Sequence, residues 1–77
     1  MQVKVIVTLK NGVLDPEGKA IQHTLNDLGF AETNEVRQGK IITLELEDGT
    51  TEDRVRQMCE KLLANPVIED YQIEMPA

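Results

Sequence analysis

Residues 59–71 read CEKLLANPVIEDY. Cys59, Leu62 and Leu63 keep a helical apolar spacing that stops at Ala64-Asn65-Pro66 and passes at once into the β-branched pair Val67-Ile68. Proline cannot donate the next helical hydrogen bond and pushes the residue before it away from helical angles, so the helix must end there. The stretch reads as a helix stop, a turn and the entry to a last strand over 67–75, with Tyr71, Ile73 and Met75 on a common face. It also holds a thiol, an amine, a phenol and the carboxylates of Glu60, Glu69 and Asp70. A catalytic reading needs converging groups, and neighbours in a strand point to opposite faces, so Glu69 and Asp70 cannot act as an acid–base pair.

Outward from this stretch, Val55, Met58, Cys59, Leu62 and Leu63 form one stripe of a second helix. Thr50 suits its N-cap, with Asp53 three residues on. Before the Asp48-Gly49-Thr50-Thr51 loop, IITLELE (41–47) alternates: Ile42, Leu44 and Leu46 face one way, Ile41, Thr43 and Glu45 the other. At the far end, QVKVIVTLK (2–10) alternates as well, with Val3, Val5, Val7 and Leu9 inward. Asn11-Gly12 signals a turn, Asp15 caps a first helix, and Pro16 occupies its first position. Ala20, Ile21, Thr24, Leu25 and Leu28 follow the helical period, and Gly29 supplies the left-handed residue that ends it. Residues 31–40 carry only Val36 as a clear apolar anchor, which predicts an edge strand, with Gln38-Gly39-Lys40 turning the chain into the next one.

The order β-α-β-β-α-β predicts a ferredoxin-like α+β sandwich: a four-stranded antiparallel sheet in spatial order 4-1-3-2, both helices on one face, and a single domain over 1–77. The first and third strands then lie at the centre. Their outward residues Ile6, Thr8, Ile41 and Thr43 form an uncharged patch that suits sheet-to-sheet homodimerisation.

Composition narrows the function. The chain has 77 residues, one Phe, one Tyr and no Trp, so its core is thin and association is a natural source of stability. A net charge of −6 opposes binding to nucleic acid or to anionic membrane. No apolar run approaches the ~20 residues of a membrane span, and 2–10 is an alternating strand rather than a signal peptide, so a cytoplasmic location is expected. The single cysteine, Cys59, falls on an apolar stripe and reads as core, and the single histidine, His23, reads as a solvated helix residue. Neither supports a metal site. Gly39-Lys40 lacks the phosphate-loop pattern, since Asn34 stands five residues earlier and Ile41 follows. The central strands offer Ile and Thr where RNA-recognition domains stack bases on aromatics. No catalytic, cofactor-binding or metal-binding residue is expected.

Three blocks of residues resemble the PurS family, the small subunit of phosphoribosylformylglycinamidine (FGAM) synthase. They are Val7-Thr8-Leu9-Lys10 with Val13-Leu14-Asp15-Pro16-Glu17-Gly18, then Val36-Arg37-Gln38-Gly39-Lys40, and above all the long block 59–71. Ile41 departs from the aromatic that often follows the Gly-Lys pair. The resemblance implies a dimeric, ferredoxin-like, non-catalytic subunit of an ATP-dependent ligase complex of purine biosynthesis. It would join the large synthetase subunit, which uses ATP and Mg, to the glutaminase subunit, and would help ammonia pass between them. Arg37, Gly39, Lys40, Glu69, Asp70 and Tyr71 are then candidates for the partner-subunit interface. A second function class stays open: a regulatory domain of this topology that binds a small metabolite at a dimer interface, with Asn11–Pro16 as the loop.

Overall fold

Alternation of valines with polar residues makes Gln2–Leu9 a strand, β1, with Val3, Val5 and Val7 essentially without solvent exposure. In the computed structural model, which describes residues 1–76, β1 is the middle of a three-stranded antiparallel sheet. Its neighbours are β2 (Gly39–Glu45) and β3 (Glu69–Glu74), giving the order β2-β1-β3. Val5 stands opposite both Ile42 and Ile73, and Val7 opposite both Lys40 and Tyr71. The helix-side faces of all three strands therefore fall in register. The core is Val3, Val5, Val7, Val55, Cys59 and Ala64, edged by half-buried Ile42, Leu44, Leu63, Tyr71, Ile73 and Met75.

Two features correct the four-strand expectation. First, residues 31–38 form no strand, so the sheet has three strands rather than four. Their polar side chains give the segment no face to bury, and its backbone is tied to the first helix instead. That helix, α1 (Pro16–Asp27), offers Gln22 Nε2 to the Asn34 carbonyl at 2.7 Å and Asn26 Nδ2 to the carbonyls of Phe30 at 3.0 Å and Thr33 at 3.2 Å. Second, the two helices do not share a sheet face. α1 buries only Gly18, and Leu28 stays 68% exposed. The chain is correspondingly long: its principal extents are 48 × 26 × 14 Å and its radius of gyration is 15.8 Å, against roughly 11–12 Å for a compact domain of this length.

The second helix, α2 (Glu52–Met58), lies over the sheet and buries Val55. Its cap is one residue later than expected: Thr51 Oγ1 accepts from the Arg54 N–H at 3.2 Å, while Thr50 bonds back to the Glu47 carbonyl. From Cys59 to Leu63 the helix widens into a π-turn, closed by the Ala64 N–H on the Cys59 carbonyl at 3.0 Å. The extra residue per turn shifts the helical phase. Cys59 and Ala64 go inward, and Leu62, expected in the core stripe, swings out to 82% exposure. Burial pushes the Cys59 thiol above its ordinary acidity of 9.0, with Glu60 adding to the effect. No helix among the described residues is long and apolar enough to cross a membrane.

Candidate subunit interface

The candidate interface residues fall in two separate stretches of the sequence, 37–40 and 69–71, yet the fold gathers them at one end of the sheet. Antiparallel pairing on both sides of β1 does this. Gly39 and Asp70 both stand opposite Thr8, Lys40 and Tyr71 both flank Val7, and Glu69 stands opposite Leu9. A shallow recess of about 350 Å³ joins Gly39, Lys40 and Glu69 to Asp15 and Glu17 at the base of α1.

Each residue has a local reason for its place. Arg37 leaves the polar return segment and reaches back to the loop after β1, where its guanidinium donates to the carbonyls of Val13 at 2.8 Å and Lys10 at 3.0 Å. Its charge therefore works chiefly within the chain, holding the loop that launches α1. Gly39 must be small: a β-carbon there would come within 2.6 Å of the Val7 carbonyl oxygen. Lys40 is exposed and takes no internal ion pair among the described residues.

On the opposite side of β1, Asn65 organises the turn before β3. Its carbonyl accepts from Glu69 N–H at 2.7 Å, its Oδ1 accepts from Val67 N–H, and its own N–H donates to Glu69 Oε1 at 2.7 Å. Glu69 is thus half-buried and used by the turn, while Asp70 points outward and pairs with Lys10 Nζ at 2.8 Å. The two acids do face opposite ways. Tyr71 packs against the core edge, and desolvation, reinforced by the Glu60 carboxylate, holds its phenol above the ordinary acidity of 10.0.

Asp15 does more than the expected capping. Its side chain is 6% exposed; Oδ1 accepts from Gly18 N–H at 2.9 Å and Oδ2 from Gln38 N–H at 2.7 Å. The Gln38 and then the Gly18 hydrogen bonds, with nearby Arg37, hold this carboxyl below its ordinary 3.8 against the opposing pull of burial. One carboxylate therefore ties the start of α1 to the residue that enters β2. The Asp-Pro pair signalled the cap, but nothing local signalled the second tie. Lys10 was likewise missed, since its partner lies 60 positions away.

The other candidate surface is the outer sheet face. Ile6 and Ile41 stand directly opposite one another across β1 and β2, and Ile41 is 64% exposed. Thr8 and Thr43 are exposed on the same face. Because β2 is now an edge strand, the patch reaches the sheet's border instead of lying between two interior strands.

These features define a small α+β module of surfaces: a charged sheet end, an open apolar sheet face and a helical arm standing off the core. The chain belongs to the PurS family; the family model described as PurS, phosphoribosylformylglycinamidine (FGAM) synthase, matches residues 2–77. A Bacillus subtilis protein named as the PurS subunit of phosphoribosylformylglycinamidine synthase is 50% identical over 76 residues, spanning 96% of this chain and 90% of that protein. The crystal structure of Methanocaldococcus jannaschii PurS, described as one of the subunits of formylglycinamide ribonucleotide amidotransferase in the purine biosynthetic pathway, superposes with a TM-score of 0.80 at 48% identity, covering 95% of this chain and 92% of that one. A chain from a structure of PurLQS from Thermotoga maritima gives a TM-score of 0.78 at 33% identity, with 96% of each chain covered.

Proposed function

We propose that this chain is the bridging subunit of phosphoribosylformylglycinamidine synthase in purine biosynthesis. It joins the large, ATP-dependent synthetase subunit to the glutaminase subunit and supports the passage of ammonia between them. The observation that carries this reading is the likeness, over nearly the whole chain, to a component of a PurLQS structure. In this reading the chain acts in the cytoplasm and contributes no catalytic residue or cofactor ligand. ATP and magnesium are used by the large partner.

The sheet end bearing Gly39, Lys40, Asp70 and Tyr71 meets a larger subunit, and the face bearing Ile6, Thr8, Ile41 and Thr43 pairs two copies. Arg37 contributes by holding the loop, so substituting it disturbs fold and docking together. Lys40 is the cleaner probe.

The test is reconstitution of the large and glutaminase subunits with and without this protein, using glutamine and then ammonium as nitrogen source. Glutamine-dependent turnover is expected to require the protein, and Lys40→Glu to weaken assembly without shifting the thermal midpoint of the isolated chain. Turnover that ignores the protein with both nitrogen sources sinks the bridging role. Unaltered assembly by Lys40→Glu removes the sheet end from the interface.

A further inference from the structure

The turn after β1 contains the chain's one asparagine–glycine pair, Asn11-Gly12; the other asparagines precede Asp27, Glu35 and Pro66. The Val13 N–H closes the turn on the Lys10 carbonyl at 3.1 Å, and Gly12 holds a φ of +85°, the left-handed angle that the third residue of a type II turn requires. Both residues are exposed, and a β-carbon at Gly12 would meet no atom within 4 Å beyond its chain neighbours. Among the described residues the Gly12 N–H donates to no backbone carbonyl. Asn26 Nδ2 and Asn65 Oδ1 are engaged in hydrogen bonds, whereas the Asn11 amide has no such partner among the described residues.

This is the setting in which an asparagine side chain is chemically labile. The Gly12 nitrogen, once deprotonated, attacks Asn11 Cγ; a nitrogen–carbon bond forms, the Cγ–Nδ2 bond breaks, and the amide leaves as ammonia with a proton taken from water. Water then opens the cyclic imide at one carbonyl to give aspartate, or at the other to give isoaspartate, in which the main chain runs through the former side chain. A missing β-carbon at position 12 keeps the attacking nitrogen open.

Ring closure needs Asn11 Cγ to face the Gly12 nitrogen, so the backbone between them must rotate. Arg37 opposes that rotation from both sides of the pair: its guanidinium donates to the Lys10 carbonyl at 3.0 Å and to the Val13 carbonyl at 2.8 Å. Bonds from a charged donor are the stronger kind, and the turn must release them before it can open.

We propose that Asn11 is a site of spontaneous deamidation and that Arg37 sets its rate by holding the Asn11-Gly12 turn shut. The inference goes beyond the bridging role and stands without it. Conversion places a new carboxylate next to Lys10, where it competes with Asp70 for the ammonium. Isoaspartate also lengthens the main chain between the two carbonyls that Arg37 spans. Deamidation therefore alters the charge of the sheet end and loosens the loop that launches α1 in one step.

The experiment is incubation of the full chain in mildly alkaline buffer, with peptide mass spectrometry to locate the mass gain of amide to acid and isoaspartyl methyltransferase labelling to detect the rearranged product. Conversion is expected at Asn11 ahead of Asn26, Asn34 and Asn65, and Asn11→Gln should abolish that signal. Arg37→Ala should quicken conversion at Asn11 by about tenfold, since local opening then releases no charged hydrogen bond. Arg37→Lys, which keeps the charge but not the fork, should fall between. Asn34 serves as an internal clock, because global unfolding quickens every asparagine and loss of the clamp quickens only Asn11. Should Arg37→Ala fail to fold, the wild-type chain in urea replaces it and should convert at Asn11 by about tenfold or more faster than the folded chain. Conversion at another asparagine first overturns the site. An unchanged rate in the Arg37 variants, in urea, or a rise shared equally by Asn34, overturns the guarding role of Arg37.

Discussion

α1 and α2 have similar sequence signatures and opposite fates. Both begin at a side-chain cap, both carry an apolar row at helical spacing, and each connects two strands of the one sheet. α2 covers Val3, Val5 and Val7 and buries Val55, whereas α1 buries a glycine and stands away from the sheet. Periodicity states that a helix has an apolar face; it does not state what that face meets. The ties at its ends settle that, and at α1 they are the two oxygens of Asp15 and the guanidinium of Arg37.

The sharpest way to test this contrast is to remove equivalent methyl groups from the two regions. Val5→Ala should cost about 2–3 kcal/mol, because the site is closed on all sides and cannot collapse. Leu28→Ala, although it deletes more carbon, should change the unfolding of single chains in dilute solution by no more than about 0.5 kcal/mol. Urea unfolding followed by circular dichroism measures both. Comparable losses from the two would mean that α1 is packed on its own sheet in solution.

Gly39→Ala asks the same question at the seam between arm and sheet. The new β-carbon would press on the Val7 carbonyl oxygen and on Thr8 Cγ2, at 2.6 and 2.9 Å, so β2 must shift or unpair at its first residue. A cost of about 1–3 kcal/mol is expected. Hydrogen exchange should quicken at Gly39–Ile41 while the middle of β3 stays protected. Equal quickening in β3 would show that the sheet responds as one unit and that the seam is no weaker than the core.

What could be read from the sequence follows the same division. The alternation of 2–10 and 41–47, the Asp15-Pro16 start, the Gly29 stop and the Pro66 break are local signals, and each marks a real element or boundary. The edge strand predicted within 31–40 failed because one apolar residue, Val36, cannot hold a strand on a core, and side chains of α1 capture the carbonyls of Thr33 and Asn34. Leu62 failed because a π-turn changes the helical phase without any proline or glycine to announce it. The six interface candidates came from family resemblance, with Arg37, Gly39 and Lys40 singled out also because they sit on or beside a sparsely apolar segment expected to be an edge strand. The structure adds that strand register brings them together, and that Arg37 and Glu69 are partly used in holding the chain itself.

The Asp15 tie has a pH signature. Its folded acidity lies below the ordinary 3.8, so the charged carboxylate contributes stability above that value and loses it as the pH falls further, through the folded one. Asp15→Asn keeps one acceptor oxygen but not the charge. It should lower the urea midpoint at neutral pH, and the gap from the wild type should close in acid below 3.8. A gap that is the same in acid would assign the effect to hydrogen-bond geometry alone. If the arm is an independent appendage, the lost stability should also appear in the exchange of α1 amides before it appears in β1.

The smallest effect on folding is expected at the sheet end, where it is most informative about function. Lys10 and Asp70 pair at 2.8 Å with side chains 40% and 63% exposed. An exposed pair of this kind contributes about 0.2–0.5 kcal/mol, and salt screens most of it. Asp70→Asn should therefore leave the unfolding curve nearly where it was, and fully so at high salt. Its effect on binding to the larger subunits need not be small, because a charge that is cheap in water becomes consequential once a partner excludes the solvent around it. A variant that folds like the wild type yet binds several-fold more weakly would mark this end of the sheet as docking surface. Equal and minor changes in folding and binding would leave the sheet end as scaffold and shift the interface toward the arm.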